Sequence, residues 1–155
     1  MKSIVGFIIW FLITFLAAFI GSRFMPGSWY EHIAKPSFTP PNWIFAPVWT
    51  VLYFMMATAA FLVWKQHGLA KAEIALSLFV LQLGLNAMWS WLFFGLHKPG
   101  LAFLDIVALW ICILATILTF WSHNKVSGAL MIPYLVWVSF ASALNLAVWR
   151  MNIPR

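Results

Sequence analysis

Charge is what this chain of 155 residues has least of: Asp, Glu, Lys and Arg together make up 8% of it, against roughly a quarter in soluble domains. A water-exposed surface could not be covered with so few, so lipid must be the solvent. Acidic residues are scarcest, with three in all, Glu31, Glu73 and Asp105, near three different helix ends. A carboxylate pair for general acid–base catalysis is hard to assemble from them, and neither a phosphate-binding glycine loop nor a Cys–His dyad is present. The single cysteine, Cys112, lies inside an apolar run. It excludes a disulfide and a Cys-rich metal site, and reads as a small packed hydrophobe. The net charge of +6 would suggest nucleic acid in a soluble protein. Here the basic residues stand at segment ends, the usual flanks of membrane helices, and no nucleic-acid partner is expected.

What the chain does have is apolar and aromatic: 65% hydrophobic residues, 11 Trp and 15 Phe. Five apolar stretches, about 3–24, 43–65, 72–94, 100–121 and 126–150, are each long enough to cross a bilayer. The fold class is therefore an all-α integral membrane protein, a multi-pass bundle of five helices forming one domain over 1–155. The first stretch is too long for a signal peptide and reads as an uncleaved span, with Ala17 and Gly21 at a spacing that permits close helix contact. Pro47 sits in the first turns of the second span, where it does least damage, and Pro133 predicts a bend in the fifth. The joints at 66–71, 95–99 and 122–125 are short, which makes consecutive helices antiparallel neighbours. Lys2, Lys65, Lys71 and Lys125 fall on one side, and Arg23, Lys35, Lys98, Arg150 and Arg155 on the other. That balance leaves the membrane orientation open. No internal repeat marks a transporter.

His32, His67, His97 and His123 all fall in connectors or at helix ends, so a bis-histidine haem in the bundle core is not expected. The polar residues inside the spans are more telling, because positions i, i+4 and i+7 share a face. One face carries Trp49, Tyr53, Met56 and Ala60, and another Gln82, Asn86, Trp89 and Phe93. A third carries Asp105, Leu109, Cys112 and Thr116, and a fourth Tyr134, Trp137, Ala141 and Asn145. Lipid has no use for Asn, Gln or Asp, so these stripes point inward. Turned inward, they either bond helix to helix or wall a small-molecule site with aromatics and a few fixed polar groups. Asp105, about one turn into its span and near Lys98, is expected as an interfacial ion pair or a helix-start carboxylate.

The connector at 25–42 stands apart. KPSFTPPNWIFAPVW (35–49) holds four of the eight prolines, and proline imposes an extended, low-entropy chain that resists becoming helix. Its aromatics are expected to lie over the mouth of the bundle, so that 25–42 forms a lid and Trp49 enters a pocket at the head of the second helix.

WYEHIAKPSFTPPNWIFAPVWTVLY (29–53) resembles the first connector and second helix of the TspO/translocator-protein family, the tryptophan-rich sensory proteins. QLGLNAMWSWLFFG (82–95) and PYLVWVSFASALNLAVWRMN (133–152) resemble its third and fifth helices, so the likeness runs through the whole chain in order. It implies a five-helix bundle, commonly a homodimer, with a pocket closed by the first connector. The ligands it implies are porphyrins such as protoporphyrin IX and haem, with sterols in animal members; no obligatory cofactor and no metal site are expected. Some members are reported to degrade porphyrin in light, and the two tryptophans implicated match Trp49 and Trp137. Asn86 matches a pocket-lining asparagine, and Ala141 and Leu144 match positions close to the ligand. ALNLAVWR (143–150) has Leu146 and Ala147 where animal members carry tyrosines of a cholesterol-recognition pattern. That argues against high-affinity cholesterol binding and for a bacterial-type member.

The expected function is thus a membrane receptor for porphyrins, acting in tetrapyrrole sensing, transport or disposal, in contact with lipid bilayer and porphyrin. The expected ligand wall is Trp49, Tyr53, Asn86, Trp89, Trp137, Ala141 and Leu144, and the lid residues are Trp29, Pro36, Phe38, Pro40, Pro41 and Trp43. Two rivals stay open: a light-dependent porphyrin-degrading enzyme using Trp49 and Trp137, and a transporter of tetrapyrroles or sterols.

Overall fold

A computed structural model describes residues 2–153. Its long helices are α1 (Lys2–Ser22), α3 (Phe45–Lys71), α4 (Glu73–Ser90), α5 (Pro99–His123) and α6 (Lys125–Met151); a short α2 (Ser28–His32) lies in the first connector. A 3₁₀ turn, Asn42–Ile44, leads into α3, and α4 runs on as a π-helical turn, Trp91–Gly95. Five helices are long and apolar enough to cross a membrane, and the protein is an integral multi-pass membrane protein. At 1.5 Å per residue each covers the roughly 30 Å of hydrocarbon, where every backbone polar group must be bonded within the segment.

The expected boundaries need two corrections. The second span runs past 65 to His67, and a further helical turn ends at Lys71 beyond a break at Gly68. The reversal is made at Gly68, whose φ of +70° is open to glycine at no steric cost. Nor is 35–49 extended throughout, since 42–44 form a 3₁₀ turn and Phe45 to Trp49 are already helical. Pro47 is the third residue of α3, where the backbone N–H has no helical partner to lose. Helix α6 carries Pro133 within its helical run, as the expected span 126–150 had it.

Around the bundle the helices follow the order α1, α3, α6, α5, α4, with α4 closing back on α1. Although α3 and α4 are joined through the single residue Ala72, they touch little. Helix α1 wedges between them instead, its Trp10 buried with the ring 5.9 Å from that of Phe79 on α4. Along the α1–α3 seam, aromatics interlock at Phe7–Phe61, Phe11–Phe54 and Phe15–Phe54. At its far end Trp64 packs on Gly6, so closely that a Cβ there would come within 1.8 Å of the ring. Trp149 on Gly100 and Trp121 on Gly128 repeat the device on α5 and α6. Part of the tryptophan excess is therefore helix-to-helix packing, in which a glycine supplies the hole for a ring.

Every one of the four polar-aromatic stripes faces inward. Asp105, Leu109, Cys112 and Thr116 are all buried, as are Gln82, Asn86, Tyr134, Asn145, Tyr53 and Met56. Gly21 is spent inside the chain, against Ser90 of α4, whereas Gly84 faces outward with nothing near it.

The connector is tied down by its own groups. In α2, Tyr30 is buried, and Lys35 Nζ donates to the carbonyls of Tyr30, Glu31 and Ile33, capping the end of that helix. Burial pushes the Tyr30 phenol above its ordinary range. Trp29 stacks on His97 at 4.5 Å, and His97 holds a left-handed φ of +56° at the end of α4. Asn152, just past α6, accepts from Ala34 N at 3.1 Å and donates to Ala34 O at 2.9 Å. The connector is thus pinned to Asn152 at the end of α6 and, through Trp29, to His97 between α4 and α5.

Candidate functional site

On α4 the helical repeat aligns Gln82, Asn86 and Trp89, and each meets a partner on another helix. The Asn86 amide donates to the Tyr53 hydroxyl at 3.1 Å and to the Tyr134 hydroxyl at 2.8 Å. Asn86 thereby joins α3, α4 and α6 at the centre of the bundle. One turn on, Trp89 Nε1 donates to Asn145 Oδ1 at 2.9 Å, and Asn145 Nδ2 donates to Pro99 O at 2.7 Å. Such bonds in a membrane interior are worth about 0.6–2 kcal/mol each, and they hold the aromatic walls in place.

Against this network lies a cavity of about 470 Å³, the size of a drug-like ligand site. Its inner wall is Trp49, Tyr53 and Asn86; Phe15, Ala18 and Gly21 of α1 face them, and Phe45 and Ser90 close the sides. A second void of about 20 Å³ lies between Trp89, Trp137, Ala141 and Leu144, with Tyr30, Phe45 and Asn145. Phe45 borders both spaces. Trp49 and Trp137 meet edge to face across the divide, with ring centres 6.4 Å apart.

The expected ligand wall is thus distributed over two adjoining spaces, Trp49, Tyr53 and Asn86 on the larger and Trp89, Trp137, Ala141 and Leu144 on the smaller. Trp137 Nε1 is buried without a hydrogen-bond partner, an unspent donor beside the smaller void. None of the expected lid residues lines the larger cavity; from the connector, Met25 and Pro26 do. Trp29 packs on Phe93 and His97, and Phe38 packs on Phe140 of the smaller void. Pro36 and Pro40 are half-buried, Pro41 is exposed, and Trp43 is 73% exposed. Sequence reasoning missed the contribution of α1. The signal was there in the small residues Ala18, Gly21 and Ser22 on one side of that helix.

Asp105 departs from expectation. It is buried, at 6% exposure, and neither carboxylate oxygen has a hydrogen-bond partner, so it forms no pair with Lys98. Six residues beyond Pro99, it has turned onto the same inward face as Ala102 and Leu109. Among the described residues, no group of three or more His, Cys, Asp or Glu could hold a metal ion.

This arrangement has relatives. Residues 8–150 match the model of the TspO/MBR family. The chain belongs to the TspO/MBR family. A tryptophan-rich protein TspO of Archaeoglobus fulgidus is 44% identical over 137 residues, covering 86% of this chain and 88% of the relative. The protein CrtK of Rhodobacter capsulatus is 39% identical over 154 residues, 97% of this chain and 94% of its own. The translocator protein of Homo sapiens is 39% identical over 142 residues, 88% and 84% of the two chains. Membership thus reaches across bacterial, archaeal and animal relatives at nearly full length.

Proposed function

We propose that this TspO-family membrane protein is a receptor for porphyrins, protoporphyrin IX or haem, which it senses, moves or disposes of. The observation that carries the reading is the cavity of about 470 Å³ with Trp49 and Tyr53 as its aromatic wall and Asn86 as its fixed polar group. A flat apolar macrocycle gains most from aromatic faces, and one buried amide is enough to orient it. Trp137, with its unspent indole N–H, extends the site if the bound molecule parts Trp49 from Phe45. The connector, pinned through Ala34 and Asn152, serves as the lid. The family name and the translocator and sensory names of relatives support a membrane binding or sensory role. No cofactor is required by this reading. A homodimer fits the outward Gly84 better than the Gly21 ridge, which α4 already occupies.

Titration of the purified protein with protoporphyrin IX, followed by tryptophan fluorescence, tests the proposal. Saturable quenching that falls in Trp49→Phe and Asn86→Ala supports it. Absence of saturable quenching in the wild type overturns it.

The 6.4 Å contact of Trp49 with Trp137 favours a second reading, light-dependent porphyrin degradation, in which these indoles exchange electrons with the excited macrocycle. Illumination of the complex in air should then give a discrete product that Trp137→Phe does not form.

A further inference from the structure

The cavity has an open side, and its position follows from the register of α1 against α3. These antiparallel helices are closed by large rings from Gly6–Trp64 through Phe7–Phe61 and Phe11–Phe54 to Phe15–Phe54. Extending the same register sets Phe19 opposite Thr50 and Ser22 opposite Ala46. There the filling thins: Phe19 is 56% exposed on the rim, and Ala18, Gly21, Ser22, Ala46 and Thr50, which line the cavity with it, are all small. Phe19, Ser22, Ala46 and Thr50 are also exposed at the outer surface of the bundle. The seam that aromatics seal over its lower part is therefore a gap over its upper part.

The rim suits passage through hydrocarbon. Ser22 Oγ donates to Phe19 O at 2.7 Å and Thr50 Oγ1 to Ala46 O at 2.8 Å, so both hydroxyls are satisfied on their own helices. An apolar body crossing the rim strands no polar group, which in lipid would cost several kcal/mol. Ser22 ends α1 and Thr50 is the sixth residue of α3, so the gap lies within about 10 Å of the helix ends, at the level where hydrocarbon meets headgroups. At its edge stands Arg23, exposed, with its guanidinium 4.7 Å from the centre of the Phe19 ring. Lys35 offers no second cation there, since its ammonium is committed to three carbonyls.

We infer that the cavity is loaded sideways from the bilayer through the gap between α1 and α3, without release of the connector. Its ligand is a membrane-dissolved molecule with an apolar body and an anionic group that stays at the surface on Arg23. This rests on the reading of the cavity as a ligand site and adds to it a route and a ligand class. The connector then acts as a fixed roof, and the passage is the splayed seam.

The test uses the full chain in phosphatidylcholine nanodiscs, with protoporphyrin IX and its uncharged dimethyl ester as probes and stopped-flow tryptophan quenching as the readout. Thr50→Phe and Ala46→Phe narrow the rim at exposed positions, and unchanged melting temperatures confirm that they fold. Both should slow association by about tenfold, and because Ala46 and Thr50 also line the cavity, the route is read from the association rate and not from Kd. Asn152→Ala, which frees the connector, should leave the rates as they are. Arg23→Gln should weaken protoporphyrin IX by about 2- to 5-fold and leave the ester unaffected. Rim variants that keep the wild-type association rate overturn the route, as does faster association in Asn152→Ala. Equal effects of Arg23→Gln on both probes overturn the ligand class. A wild type that never quenches either probe at equilibrium overturns the underlying reading itself, an outcome distinct from any change of rate.

Discussion

Asn86 on α4 donates a 2.8 Å hydrogen bond to the hydroxyl of Tyr134 on α6, and both residues are closed off from the surface, at 2% and 0% exposure. Tyr53 of α3 shares the same amide, so one side chain ties three helices together and forms part of the cavity wall. Replacing it with leucine leaves two buried hydroxyls without a partner. Asn86→Leu should cost about 1–3 kcal/mol, read as a fall in midpoint on thermal unfolding in detergent. Tyr134→Phe added to Asn86→Leu should cost less than the sum of the single changes, because the second removes a group the first has already orphaned.

Gly6 and Gly84 make a paired test of the glycine–ring packing. A methyl at Gly6 collides with the Trp64 indole, while one at Gly84 meets nothing. Gly6→Ala should destabilise by about 1–3 kcal/mol through overpacking. Gly84→Ala should be neutral or stabilise by up to about 1 kcal/mol through helix propensity.

The pin at Asn152 sets how firmly the connector is held. Asn152→Ala removes both bonds to Ala34, and amide exchange over 28–41 should accelerate by about 5- to 30-fold, the equivalent of one or two hydrogen bonds. Protection in α3 to α6 should stay as it was. Acceleration throughout the bundle would show that the residue supports the core rather than the connector.

Asp105 has no ion pair to lose, since neither oxygen is bonded. Asp105→Asn should therefore not lower the melting temperature, and Lys98→Ala should be equally silent. A loss of about 3–5 kcal/mol, typical of breaking a buried ion pair, would mean that a cationic partner reaches Asp105 after all.

Legibility followed the range of the interactions involved. Scarce charge and five long apolar stretches are properties of single segments, so the class of protein and its five spans could be read directly. The inward stripes could be read too, because helical periodicity places Gln82, Asn86 and Trp89 on one face whatever they pack against. The end of α3 was misjudged because a lone glycine after a lysine and a histidine reads as loop, whereas here only Gly68 itself departs from helical geometry.

By itself, then, the sequence determined that the chain lives in lipid, that it forms five membrane-spanning helices, and which face of the last four carries polar groups. Those follow from the cost of exposing charge and unbonded backbone to hydrocarbon, which is paid residue by residue. Only the tertiary structure decided that α1 wedges between α3 and α4, that Asp105 is sealed away from Lys98, and that the expected wall is split between two spaces. It also decided that none of Trp29, Pro36, Phe38, Pro40, Pro41 and Trp43 lines the larger cavity. The reason is that a cavity is what neighbouring side chains fail to fill, and α1 comes to face Trp49 and Asn86 only once the ring of helices has closed.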